Sequence, residues 1–151
     1  MKITKILHPT DFSEGSKAAT DYVKSLAKQY GASVVLMYVV DEVVKTHGWY
    51  VPHISLTELY KDIEASAKKQ LDHCCYEDMR DIKDVEKVVT KGVPDEVITK
   101  YAEENGVDLI VMGTYSKSGF DFVFGSTTEK VLRKSKCPVL CVKVSPEGTP
   151  A

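Results

Sequence analysis

The chain has 151 residues, 28% of them charged, and a net charge of −2. That length is about one domain and is enough to bury a core without disulfide or metal staples. The near balance of charge, with a pI of about 6.1, argues against a nucleic-acid or anionic-membrane binder that draws its affinity from positive charge.

No apolar run approaches the roughly 20 residues of a membrane helix. The opening MKITKILHPTDFS has neither the apolar length nor the small-residue cleavage site of a secretory signal, so a cytoplasmic protein is the expectation. The four cysteines, Cys74, Cys75, Cys137 and Cys141, form no CxxC and suit free thiols in a reducing compartment. His73, Cys74 and Cys75 occupy consecutive positions of a helical pattern, about 100° apart, and cannot close on one ion unaided.

The pattern alternates strands and helices. Residues Ile3 to Pro9 read as a short strand ended by proline, which cannot donate to a central ladder. Ala18, Ala19, Tyr22, Val23, Leu26 and Ala27 then recur at helical spacing, with Gly31 as the stop. Ser33 to Asp41 is a nearly continuous β-branched and apolar run, as expected of a strand covered on both faces. An irregular stretch around His47, Trp49 and His53 follows, readable as a lid or a dimer contact.

From Ser55 to Asp81 the spacing predicts one long helix, with a Ser55–Glu58 capping box and a stripe at Leu59, Ile63, Ala67 and Leu71. A strand is expected over 84–92. Next comes a helix with Pro94 at its first position and Asp95 and Glu96 in its first turn. A buried strand DLIVMG, a helix from Ser126 and a last strand CPVLCVKV complete the order β-α-β-α-β-α-β-α-β. Helices between apolar strands imply an open, doubly wound, five-stranded parallel sheet with helices on both faces. One domain over 1–145 with a flexible tail at 146–151 is expected.

Ligands of such sheets bind beyond the carboxyl ends of the strands, where strand order reverses. The loops to inspect are therefore 9–13, 39–41, 91–93 and 113–126. Asp11 follows the first strand directly. It can accept from a ribose or base or help hold a metal, or else Thr10, Asp11 or Ser13 simply caps the helix. Gly113 marks a tight turn off the fourth strand. Gly125, Ser126, Thr127 and Thr128 open a helix, with Ser126 and Glu129 spaced as a capping box. A helix start with a small glycine and hydroxyls suits a phosphate, and a plain cap is the competing reading. No GK[ST] follows the glycines, so this is no Walker loop.

The segments ILHPTDFSEGSKAA, LMYVVDE, DLIVMGTYSKSGFD and GSTTEKVLRKSKCPVLCV, with the element order, resemble the universal stress proteins of the UspA type across nearly the whole chain. The resemblance implies an adenine nucleotide alpha hydrolase-like α/β fold and a homodimer paired through the C-terminal strand. In one branch of the family it also implies an ATP site. That branch carries Gly-x2-Gly-x9-Gly-[Ser/Thr]. Gly113 and Gly125-Ser126 match its ends, Ser116 replaces the second glycine, and the loop is one residue shorter.

By the same resemblance, Asp11 meets the ribose or a nucleotide-bound Mg or Mn. Pro9 and Thr10 border the adenosine, Val39 meets the base through its backbone, and Met112 and Gly113 line the ribose. Ser116, Gly125, Ser126 and Thr127 face the phosphates. The implied function is a nucleotide-binding, dimeric stress-response regulator with slow or no hydrolysis. Its ligand would be ATP, with AMP as the alternative, and its protein partner is undetermined. A dimeric interaction module without nucleotide is the other reading, supported by Ser116 and the short loop. Dedicated catalysis is not expected, because no convincing general base accompanies the phosphates; Lys117 would at most pair with one. The apolar final strand, exposed as a sheet edge, gives dimerisation a physical motive, and a charge at Val142 is expected to disturb it.

Overall fold

The computed structural model describes residues 1–41, 56–73, 79–114 and 125–144. Five strands and four helices alternate: β1 (Lys5–Pro9), α1 (Glu14–Tyr30), β2 (Ser33–Asp41), α2 (Leu56–Leu71), β3 (Val85–Gly92), α3 (Pro94–Glu104), β4 (Leu109–Thr114), α4 (Ser126–Lys134) and β5 (Val139–Lys143). Every pairing is parallel, in the order β3-β2-β1-β4-β5. The chain winds outward from β1 to β3, crosses back to β4, and continues to β5. Strand order therefore reverses between β1 and β4.

The apolar runs are continuous because both sheet faces are covered. Alternate residues of one strand feed two cores. Ile6, Val34, Leu36, Val111 and Val142 pack with Ala19, Val23 and Ala27 of α1 and Leu71 of α2. Leu7, Val35, Met37, Ile110 and Met112 pack on the other face with Ile98 and Ala102 of α3 and Val131 of α4. Buried Asp95 at the start of α3 pairs with Lys134 at the end of α4, 2.5 Å apart, and ties these two helices together.

Three expectations need correction. The long helix does not run to Asp81: α2 ends at Leu71, and Ile82 N–H closes a turn on the Met79 carbonyl. Cys74 and Cys75, Ser55 of the anticipated capping box, the Trp49 segment and the tail lie outside the described residues. The Ser126–Glu129 capping box does not form. Gly125 is the N-cap of α4, its carbonyl accepts from Glu129 N–H, and the Glu129 carboxylate pairs with Arg133 at 2.8 Å. Finally, Val142 points into the α1-side core at 4% exposure. A charge there would break the fold before it reported on a partner. The strand that carries it does stand at the edge of the sheet.

Candidate functional site

At the β1–β4 reversal the carboxyl ends of β1, β2 and β4 surround a cleft of about 380 Å³. Strand β1 brings Pro9, Thr10 and Asp11; β2 brings Met37, Tyr38, Val39 and Asp41; β4 brings Met112 and Gly113. Three helices start at its rim, represented by Ser13 and Ser16 of the α1 start, Pro94 and Ile98 of α3, and residues 125–128 of the α4 start. Every site residue named from the sequence lines this one cleft except Ser116 and Lys117, which lie outside the described residues.

The β1–α1 corner is held by short-range hydrogen bonds. Thr10 N–H donates to the Met37 carbonyl at 2.8 Å, extending the β1–β2 ladder past Pro9. Ser13 is the N-cap of α1, its side chain accepting from Ser16 N–H. Asp11 joins the same network: its Oδ1 accepts from Ser13 N–H at 3.0 Å and from Ser16 Oγ at 2.6 Å. Both bonds fall on one oxygen, so Oδ2 is left for the cleft. Crowding by protein atoms raises the Asp11 pKa, but the hydrogen bonds from Ser13 and Ser16 outweigh it, and the group titrates below its ordinary value. The capping and ligand readings of this acid are thus compatible, one oxygen serving each.

His8 lies beneath the site, fully buried in β1. Its Nδ1 faces the Val111 carbonyl at 2.9 Å and its Nε2 faces Thr20 Oγ1 at 3.1 Å. A carbonyl only accepts, so Nδ1 carries the proton of the neutral ring, and Nε2 shares the single Thr20 hydroxyl hydrogen with the Ser16 carbonyl, 3.2 Å from Thr20 Oγ1. Burial lowers its pKa despite the Val111 bond. Both nitrogens are turned into the core, which makes His8 a packed residue and not an acid or base for the cleft.

The two glycines at the cleft differ in kind. Gly113 is not a turn: it sits inside β4, paired with Val142. A Cβ there would fall inside the Gly15 carbonyl group and 2.8 Å from Ser16 N, because the first turn of α1 lies directly on it. That glycine is demanded by helix-on-strand packing. Gly125 has φ −55° and ψ 142°, which any residue can adopt, and a Cβ built on it meets none of the described residues. Neither its backbone nor packing among the described residues requires a glycine at this position. It also leaves the N-terminus of α4 without a side-chain cap, while Thr128 Oγ1 ties the first turn to the Gly113 carbonyl at 3.3 Å.

Among the described residues the lining holds the carboxylates of Asp11 and Asp41 and no lysine or arginine. The first turn of α4, without a side-chain cap among the described residues, is the part of this lining suited to an anion. Asp11 Oδ2 offers a fixed acceptor for hydroxyls or a hard cation. Among the described residues no three His, Cys, Asp or Glu side chains group to hold a metal by themselves.

The universal stress protein family model matches residues 2–143. The chain belongs to the universal stress protein family. Universal stress protein MJ0577 of Methanocaldococcus jannaschii is 35% identical over 92% of this chain and 94% of its own. Its solved structure superposes with a TM-score of 0.77, covering 95% of this chain and 97% of that one, at 34% identity. Universal stress protein YxiE of Bacillus subtilis is 31% identical over 92% of this chain and 98% of its own. Universal stress proteins solved in complex with cAMP and, from Archaeoglobus fulgidus, with dAMP share the fold at 21% identity, with TM-scores of 0.59 and 0.60.

Some lining residues carried too little sequence signal to be named as site residues. Asp41 closes a strand whose exit loop was flagged, and Pro94 follows the flagged 91–93 loop. Ser16, Tyr38 and Ile98 reach the cleft only through tertiary packing.

Proposed function

We propose that this universal stress protein binds an adenine nucleotide in the cleft and acts as a dimeric regulator in the cytoplasm, without dedicated catalysis. The observation that carries the reading is Gly125: a glycine that no described residue forces, at a helix start without a side-chain cap among the described residues, facing a cleft at the strand-order reversal. A ligand that needs backbone at close range explains why no side chain stands there. In this reading the base lies against the Val39 backbone, with Met37, Pro94 and Ile98 as an apolar wall. Pro9 and Thr10 border the adenosine, and Met112 and Gly113 line the sugar.

The sugar hydroxyls donate to Asp11 Oδ2. The phosphates meet the first turn of α4 with the Ser126 and Thr127 hydroxyls. Ser116 enters through the family motif alone. The ligand is ATP, with AMP as the alternative. As the alternative to the sugar, Asp11 would supply a hard oxygen donor that fits a nucleotide-bound Mg or Mn. Hydrolysis in this reading is slow or absent.

Homodimerisation through β5 completes the proposal. Val139, Leu140 and Cys141 are half-buried along that edge, whereas the opposite edge strand, β3, exposes Glu86, Lys87 and Lys91, charges that discourage pairing. Thermal unfolding with Mg and millimolar ATP or AMP tests the ligand, since a ligand stabilises by RT ln(1 + [L]/Kd). A rise in Tm is expected; no rise with either nucleotide, and no nucleotide seen by native mass spectrometry of freshly purified protein, would refute it.

A further inference from the structure

Phe12 is the sole non-glycine residue with positive φ, 62°, among the described residues. In that region Cβ crowds the neighbouring carbonyl, and a bulky side chain is a poor occupant. Something must hold it there. Its ring stacks on Tyr38 of β2, centroids 5.0 Å apart and planes 22° apart, and packs against the α1-side core. Its N–H donates to Thr10 Oγ1 at 3.0 Å. The left-handed step turns the chain so that Ser13 N–H reaches back to Asp11 Oδ1, an Asx turn built on an aromatic residue where glycine or asparagine would be cheaper.

The geometry points to Phe12 as the positioning residue of this site: its ring, clamped on Tyr38, holds the left-handed turn that ties Asp11 Oδ1 to α1 and presents Oδ2 to the hydroxyls of the ligand. Phe12 touches no ligand and acts through Asp11. The inference rests on the nucleotide reading for what Asp11 meets, but the turn itself can be read out without any ligand.

Four proteins are compared: wild type, Phe12→Tyr, Phe12→Ala and Phe12→Gly. The Ser13 amide proton shift is read by NMR at pH ~7 without ligand, and ATP and AMP affinities are measured with Mg by calorimetry. The Ser13 N–H to Asp11 Oδ1 bond exists only while the turn is held. Wild type and Phe12→Tyr are expected to show the Ser13 amide hydrogen-bonded. Phe12→Ala keeps the left-handed cost without the ring, so its Ser13 amide signal moves toward the free position and affinity falls about tenfold. Phe12→Gly adopts φ 62° freely and recovers part of both losses.

In an Asp11→Asn background Phe12→Ala should lower thermal stability but not affinity. A residue that merely fills space would leave the Ser13 amide signal unmoved and make glycine no better than alanine; that outcome overturns the inference. Failure of wild type to bind either nucleotide would sink the nucleotide reading, while the Ser13 amide still decides Phe12.

Discussion

Replacing Gly125 with serine separates fold from ligand, because the two should move in opposite directions. The backbone at Gly125 already has φ −55° and ψ 142°, and a Cβ meets none of the described residues. Removing glycine's freedom in the unfolded chain stabilises by about 0.4–1 kcal/mol where the native backbone is compatible. A serine at the N-cap also accepts from Thr127 or Thr128 N–H, adding a few tenths of a kcal/mol over glycine. The ligand-free protein should therefore gain about 1 kcal/mol, a rise in Tm of about 2–4 °C for a chain of this size.

The same hydroxyl takes an N–H that a phosphate would use and stands in its path. Losing one charge-assisted hydrogen bond costs about 1.5–3 kcal/mol, or roughly 10- to 100-fold in Kd. Calorimetry with Mg and ATP, beside thermal unfolding of the ligand-free protein, reads both effects. A variant that binds as tightly as wild type would refute the assignment of Gly125 to the phosphates. A variant that melts lower without ligand would refute the structural account of that position.

Gly113→Ala should behave in the opposite way: its Cβ would collide with the Gly15 backbone, so the ligand-free protein should lose about 3 kcal/mol in urea denaturation, and an unchanged midpoint would disprove the tight α1–β4 contact. Buried, neutral His8 has its pKa lowered from 6.5 by burial, so the unfolded chain takes up a proton first. Stability is then full above pH ~6.5 and falls as pH drops toward the lower folded value, by up to about 1.4 kcal/mol per pH unit. Urea midpoints between pH 7.5 and 5 should show this slope, and His8→Asn should flatten it; Asp11 and Asp108, both lowered from 3.8, act only in more acid solution. Ile110 N–H bonds the Pro138 carbonyl, and the alternation of a parallel ladder turns the N–H of Cys141 to the open edge. Cys141→Pro should therefore abolish edge pairing while sparing the β4 ladder; an unchanged mass in light scattering would count against a dimer through β5.

The architecture was legible because a sheet covered on both faces writes itself as unbroken apolar runs. Ile6 and Leu7 are adjacent and both fully buried, one in each core, and SVVLMYVVD reads the same way. The cleft was legible for a related reason: strand exits in this topology converge, so Asp11, Val39, Met112 and Gly125 were found together though far apart in the chain. Other features depend on tertiary context. The glycine at 113 looks like a turn until α1 is laid across it. Ser126 and Glu129 have the spacing of a capping box, but the helix begins one residue earlier than that motif needs. The parity that sends Val142 inward follows from the β4–β5 register, which a lone strand does not reveal. Nothing in the letters DFS announces a left-handed phenylalanine.

Of the three helix starts at the cleft, α3 carries Asp95 and Glu96 in its own first turn, which oppose an anion there; in the proposed reading the other two orient a charged ligand. The N-terminus of α1 is already satisfied by the Ser13 cap, and Asp11, with its pKa held low, places a negative charge beside it. The N-terminus of α4 has no side-chain cap. Two unit charges ~4 Å apart repel by about 4 kcal/mol at an effective dielectric of ~20. A helix N-terminus attracts an anion by about 0.3–2 kcal/mol. A phosphate directly against Asp11 thus loses more than the α1 dipole returns, whereas at α4 it gains without that opposition. Hydroxyls, which donate, take the Asp11 side. If the cleft binds a nucleotide as proposed, it would favour a ligand with a donor-rich middle and one anionic end and orient that ligand before any base is recognised.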